Sequence, residues 1–393
     1  MIGRGATDDT TIGIGVYVWS EDVVQELIGK LRGDGFRGQI VLGGPQISYA
    51  PGGLAELYPG ADVFVRGFGE LALAALAFDP NAEMKGVLRV GDDDRGEQTE
   101  VDLAELPSPW LTGAIPLRGQ RFIRWETQRG CPYRCTFCQH RTVQRLSQLR
   151  RSLRDQRVFN EIDLFCSSGV RDIAVLDPIF NLGTLSVPVL EHFVRHRYSG
   201  KLSPQCRAEK IDAEFLDVAG RLMSVSSSVF QTIHEAESRA VQRRNKIDLV
   251  DATLHEVRAR GIRHEVSLIY GLPEQTLESF LETVSWCLER RVPVIKAFPL
   301  MVLRGTPLER DRATWGLVDE GGTMPSVVAS NTFGPTEVAQ MARIAKALEL
   351  TEGRHPARLF ELTRVAGKVQ AEPQRWRPAP AHRRVDRPRF GPE

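Results

Sequence analysis

The chain has 393 residues, a formal charge of +1 and 42% hydrophobic residues, enough for two or three domains with sizeable cores. The balanced charge excludes a global pull toward nucleic acid or an anionic membrane, and the sequence shows neither a signal-peptide pattern nor a run of about 18 apolar residues. Six cysteines, three of them clustered, point to metal chemistry in a reducing compartment, hence the cytoplasm, rather than to a disulfide framework.

In chain order, residues 12–18 form an apolar, β-rich run. Ser20 is a candidate N-cap, and 23–31 has helical periodicity. Residues 39–42 read as a strand running into Gly43-Gly44-Pro45. Residues 61–66 read as another, leading into Gly67-Phe68-Gly69-Glu70 and a helix. Strands that end in glycine turns before helices predict a parallel sheet with a ligand at the strand carboxyl ends, cradled by Gly43, Gly44 and Gly67. The alternative is a Rossmann-like remnant kept for packing, because glycine is the default wherever φ is positive. Residues 82–121 read as a linker with an exposed turn at Asp92-Asp93-Asp94 and an extended crossing at 106–110. The predicted units are 1–81, 82–121, 122–308 and 309–393.

From residue 122 the pattern is strand then helix, repeated. Six strands are predicted, at 122–126, 172–176, 202–207, 223–233, 265–270 and 294–302, with spans between them that suit crossover helices. The fold class is α/β, a partial (β/α)6 barrel with chemistry at the carboxyl ends of its strands. After the first strand come Cys131, Cys135 and Cys138, spaced C-x3-C-x-aromatic-C with Phe137 as the aromatic. A closed zinc site takes four ligands and an ordinary iron–sulfur site four cysteines. Three thiolates leave one iron of a [4Fe–4S] cube open to a small molecule. A partial zinc site completed by His140 is the rival reading; its closeness to Cys138 in sequence makes a tetrahedron hard to close. Cys166, Cys206 and Cys287 stand alone, as small buried apolar residues do.

Six arginines between 141 and 157 (Arg141, Arg145, Arg150, Arg151, Arg154 and Arg157) spread around a predicted helix as a solvated face, or lend one member to an anionic substrate. Asp177 ends the second strand as a ligand acceptor or as the cap of a Pro turn. Alternation puts Gln205, Arg207 and Glu209 on one face of the third, as ligand groups or as a structural Arg–Glu pair. The fourth, with Ser226-Ser227-Ser228, ends at Gln231. His234 and Glu235 follow as candidate acid–base groups. The fifth ends in Leu268-Ile269-Tyr270-Gly271-Leu272-Pro273-Glu274, and Arg304-Gly305-Thr306-Pro307-Leu308 leaves the sixth. A helix is predicted at 335–350, then an Arg/Pro-rich tail, solvated or a partner segment.

The cysteine loop with Phe137 and its lead-in at 126–130, the Gly-Leu-Pro-x-Glu-like strand end and the exit at 304–308 together resemble radical S-adenosylmethionine (SAM) enzymes. The resemblance implies that SAM chelates the open iron, and that one electron breaks a carbon–sulfur bond to start radical chemistry. It implies SAM contacts from Phe137, Asp177, Gln205, Arg207, Glu209 and Gln231, with adenine against Tyr270, Gly271 and Leu272. Val16-Tyr17-Val18-Trp19, the 41–46 turn and the 67–70 turn resemble the back half of the cobalamin-binding domain of B12-type radical SAM proteins. The front βα unit and an Asp-x-His-x-x-Gly cobalt-ligand motif are missing from this sequence. The implied reaction is radical modification of a small molecule, with C-methylation first. The alternatives are 3-amino-3-carboxypropyl transfer, cyclisation of SAM or a hydrogen-abstraction rearrangement. The implied cofactors are a [4Fe–4S] cluster, SAM and cobalamin, with ferredoxin or flavodoxin as electron donor. A non-catalytic cluster-binding adaptor is the reading from another class.

Overall fold

The structure, a computed structural model, describes residues 10–140, 151–222, 225–322 and 324–369. Arg141, Arg145, Arg150, Met223 and the Arg/Pro-rich tail lie outside them, as do the side chains of 151, 152 and 225–229.

The first layer contains β1 (Thr11–Gly15), α1 (Glu21–Gly33), β2 (Gln39–Gly43), the one-turn helices α2 (Pro45–Ser48) and α3 (Leu54–Leu57), β3 (Val63–Val65), α4 (Glu70–Phe78) and β4 (Val87–Arg89). β1, β2 and β3 are parallel, in register Gly15 to Gly43 and Leu42 to Phe64, and β4 closes the edge antiparallel. Both faces are covered, as a parallel sheet requires. Val24, Ile28 and Leu31, one stripe of α1, pack with Ile40, Leu42 and Phe64 on one face. Ala72 and Leu76 of α4 cover Val41, Val63 and Val65 on the other.

Three expectations change here. The first strand stops at Gly15, where the chain turns off. Ser20 heads α1 without capping it; its hydroxyl exchanges hydrogen bonds with the Tyr17 backbone instead. The layer also runs past residue 81, because β4 joins the sheet and Thr99 bridges Gly67. A three-residue strand carries too little alternation to be seen in sequence.

The second unit contains β5 (Phe122–Trp125), β6 (Gln128–Arg129), β7 (Arg151–Ser152), α5 (Asp155–Ser167), β8 (Asp172–Val175), α6 (Ser186–Arg195), β9 (Lys201–Ser203) and β10 (Gln205–Cys206). It continues with α7 (Ala213–Ala219), β11 (Val225–Val229), α8 (Glu235–Ala240), α9 (Ile247–Ala259), β12 (Arg263–Tyr270), α10 (Leu277–Glu289) and β13 (Val294–Pro299). The parallel sheets β5-β8-β9 and β10-β11-β12-β13 are joined at Pro204, which lacks the N–H that would continue the ladder. They give the six-stranded arc of a partial (β/α)6 barrel. Trp125 anchors one core, edge-on to Phe165 and Phe193 at 5.7 and 6.0 Å, with its indole N–H donated to Glu161.

Residues beyond 306 form α11 (Pro307–Arg310), the hairpin β14 (Val318–Asp319) and β15 (Val327–Ala329), α12 (Pro335–Leu350) and α13 (Leu359–Ala366). α12 falls where the sequence predicts it. Its Met341, Ile344 and Leu348 share one core with Leu268, Tyr270 and Phe280, so this segment is a wall of the barrel rather than an appendage.

Candidate active site

The cluster loop leaves β6 through Gly130, at a φ of 89° that favours glycine. Two backbone bonds pin it to the barrel rim: Thr136 N–H donates to Val241 O, and Thr136 O accepts from Leu308 N–H. Cys135 is buried and receives a hydrogen bond from Arg243 Nη1 at 3.8 Å. Burial raises the Cys131 thiol and pushes Cys138 up to about 11, and each of these thiols feels the charge of Cys135. Neutral thiols at such depth ionise when a metal centre supplies positive charge. Among the described residues, the spacing of a single-ion site, three donor atoms all within 4.8 Å, is met by another set and not by these cysteines with or without His140. Three thiolates on one loop are the donor set of a cube in which each binds a different iron.

Beside the loop opens a cleft of about 390 Å³, lined by Phe137, Gln205, Glu265, Ser267, Ile269 and the 298–303 segment. Alternation along β12 turns Glu265, Ser267 and Ile269 toward this cleft and buries Val266, Leu268 and Tyr270. Lys296 of β13 pairs with Glu265 at 2.7 Å. Arg207 lies over the Tyr133 ring of the cluster loop at 3.7 Å and is paired with Glu209. Arg207 Nη1, Glu209 Oε2 and Gln231 Oε1 are buried with no partner among the described residues. Buried polar atoms left open in this way call for a ligand, an ion or a water.

Other site candidates stand elsewhere. Asp177 is fully buried, accepting from Thr127 N–H (2.7 Å), Thr127 Oγ1 (2.5 Å) and Gln128 N–H (3.2 Å), so it ties the two strand ends together. His234 turns to α10, touching Ser279 O at 3.0 Å and Glu282 at 3.2 Å, while Glu235 stands in solvent beside Arg239. The acid–base role read for this pair has no support in that placement. Tyr270 packs on Phe280, Leu272 is buried in the same core, and Gln275 Oε1 takes the N–H groups of Gly271 and Leu272. Gly271 is needed for its φ of 85°; a Cβ there meets its neighbours no closer than 3.7 Å. The cleft face of β12 is therefore Glu265, Ser267 and Ile269 rather than 270–272. Arg154 and Arg157, read as a solvated face, instead bond Ala104 O and Leu106 O and tie α5 to the preceding segment.

A second cleft, of about 870 Å³, lies at the carboxyl ends of β1, β2 and β3. Gly43, Gly44 and Gly67 line it, with Gly13, Gly15 and Gly69. They serve different ends. A Cβ on Gly44 would come within 2.8 Å of Val16 O, and one on Gly67 within 2.5 Å of Thr99 O, so these two permit close backbone packing. A Cβ on Gly43 meets nothing nearer than 3.6 Å, so that glycine keeps the cleft open. Among the described residues, no histidine lines the cleft. The cleft shares Arg129 with the cluster loop; Arg129 pairs with Glu70 (2.6 Å) and Glu126 (2.9 Å) and lies over Phe68. Tyr49, also in its wall, donates to Gln139 O immediately after Cys138.

The sequence of the barrel matches the model of the radical SAM superfamily over residues 125–287, from the strand before the cysteines to α10. Residues 125–287 of this chain are a radical SAM domain. Among curated relatives, the cobalamin-dependent radical SAM methyltransferase TokK of Streptomyces tokunonensis is 27% identical over 335 residues, covering 77% of this chain and 48% of that protein. The 2-(S-pantetheinyl)-carbapenam-3-carboxylate methyltransferase of Streptantibioticus cattleyicolor is 32% identical over 203 residues, 46% of this chain and 29% of that protein. The chain thus spans about half or less of the length of these relatives. In fold, this radical SAM protein is similar to OxsB with aqua-cobalamin and SAM bound (TM-score 0.64, 17% identity, 90% of this chain and 62% of that one). It is also similar to TsrM of Kitasatospora setae with tryptophan substrate and a SAM analogue (TM-score 0.61, 18% identity, 77% and 65%).

Tyr133, Arg243, Glu265, Ser267 and Lys296 were missed in the sequence. The two serving the cluster loop, Tyr133 and Arg243, carry no motif signal. Glu265 and Ser267 were visible as the polar half of an alternating strand.

Proposed function

We propose that this radical SAM protein methylates a small molecule, with a [4Fe–4S] cluster and SAM in the barrel and a cobalamin in the N-terminal cleft. The observation that carries the reading is the contact of that cleft with the cluster loop at both ends, through Arg129 and through Tyr49. When bound, a reduced cluster would supply one electron to the sulfonium carbon–sulfur bond, and a corrinoid would carry a methyl group. Cys131, Cys135 and Cys138 would hold the cluster, and the Arg243 guanidinium beside Cys135 offsets thiolate charge. The open atoms of Arg207, Glu209 and Gln231 fit the carboxylate, ammonium and hydroxyl groups of SAM. Phe137 would exclude water at the cluster side, and Glu265, Ser267 and Lys296 offer a polar grip on a substrate. The open glycine face at Gly13, Gly15 and Gly43 leaves room for a broad, flat ligand, and the lack of histidine in its lining fits cobalt without a lower protein ligand. A non-catalytic adaptor has no use for two clefts meeting at one loop. An acidic iron–sulfur or flavin protein of the reducing cytoplasm is the fitting electron donor. No helix among the described residues is long and apolar enough to cross a membrane.

Anaerobic reconstitution with iron, sulfide, SAM, hydroxocobalamin and dithionite tests the reading by mass spectrometry of the nucleosides. S-Adenosylhomocysteine formed in a cobalamin-dependent manner is expected. 5′-Methylthioadenosine would instead mark 3-amino-3-carboxypropyl transfer or cyclisation of SAM. 5′-Deoxyadenosine alone would mark hydrogen abstraction without methyl transfer.

A further inference from the structure

We propose that Asp163, His192 and His196 form a second metal site, for one divalent transition ion of the zinc type, that fastens α5 to α6 outside β5 and β8. His192 and His196 stand one turn apart on α6 and at its C-cap, hence on one face. Asp163 comes from the middle of α5. Both Nε2 atoms approach the same oxygen, Asp163 Oδ1, at 2.6 and 2.7 Å, and the three donor atoms all lie within 4.8 Å of one another. The rings are already ordered. Phe159, one turn before Asp163, lies 4.9 Å from the His192 ring, and the two imidazoles are 5.0 Å apart.

Two imidazoles and one carboxylate suit zinc and its neighbours rather than magnesium or calcium, which take oxygen. Three protein ligands leave one tetrahedral position for water or for a donor from another molecule. Arg195 donates to His192 Nδ1 at 3.1 Å; an arginine only donates, so the ring proton of the metal-free site sits on Nε2 and points at Asp163. An entering ion takes the Nε2 lone pair. That proton then moves to Nδ1 by exchange through solvent, and Arg195 must release the ring. Arg195 is thus a competitor of the ion.

The test uses the full chain with its iron–sulfur cluster loaded, dialysed against zinc chloride, with zinc counted by elemental analysis and melting followed with and without zinc. One zinc per chain is expected beyond that bound by a His192→Ala/His196→Ala double variant, with a zinc-dependent rise in Tm in the wild type only. Asp163→Asn should weaken binding by more than the roughly 10–100-fold that loss of an outer partner costs. Arg195→Ala should tighten it. Cobalt(II) added to the wild type should give d–d bands without thiolate charge transfer. Equal zinc uptake by wild type and double variant, or cobalt bands that carry thiolate charge transfer alone, would overturn the site.

Discussion

Cys135 is the most buried of the three clustered thiols, and a guanidinium faces it. Its neighbours Cys131 and Cys138 are raised by burial, so neither of these two is poised as a free nucleophile. Cys131→Ala, Cys135→Ala and Cys138→Ala should each lose the cluster, read as iron and sulfide content and charge-transfer absorption. Cys166→Ala, Cys206→Ala and Cys287→Ala should keep it, because these thiols pack in or beside apolar cores. Asp177 gives a second test. Burial raises its carboxyl to about 6, against the hydrogen bonds from Thr127 and Gln128. The folded state therefore binds this proton more tightly than the unfolded one, and stability falls as pH rises through that value. Between pH 5 and 7 the loss should be on the order of 1 kcal/mol relative to Asp177→Asn, measured by urea unfolding. An equal pH slope in both proteins would refute the assignment.

The glycine turns of the N-terminal sheet separate two jobs at the scale of the element. Gly44 has a φ of 95° and no space for a side chain, so Gly44→Ala should destabilise the layer by about 1–3 kcal/mol in denaturant unfolding. Gly43 has space, and it faces the cleft. Gly43→Leu should leave Tm nearly unchanged and lower cobalamin retention by at least about tenfold in equilibrium dialysis. Retention equal to the wild type would count against the proposed cobalamin site in this cleft. The strand β12 teaches the same lesson. Its apolar run identified the element, and its alternation assigned Glu265 and Ser267 to the open side. The segment 268–274 carries the family signature, yet Gln275 and the α10 core occupy its groups. A motif marks where the chain must turn; which atoms remain open there depends on what else packs against it.

The two layers of the molecule are joined by a buried polar knot. Arg304, at the barrel exit, donates to Glu21 Oε1 at 2.7 Å and to Tyr58 OH at 3.2 Å, and Tyr58 donates to the same Glu21 oxygen at 2.5 Å. Gln46 donates to the other oxygen at 2.5 Å. Removing one partner leaves a buried charge without its counter-charge. Arg304→Met should cost about 3 kcal/mol and split one calorimetric transition into two, with the N-terminal layer melting first. A single transition at the wild-type temperature would mean that the layers are held by other contacts.

The sequence by itself determined the barrel, because each strand is a short apolar run bounded by helical periodicity, and local patterns of that kind survive folding unchanged. It also marked the candidate cluster loop, because its three cysteines lie within eight residues and need no distant partner to be recognised. Gly43, Gly44 and Gly67 were legible as turns for the same reason. The tertiary structure alone decided which polar groups stay open. Asp177 and His234 looked like site residues, but Thr127 and α10, far away in the chain, consume their hydrogen bonds. Arg243 and the pairing of Asp163 with His192 and His196 were invisible for the converse reason: their partners lie 108, 29 and 33 positions away, and no local pattern records a contact made across the fold.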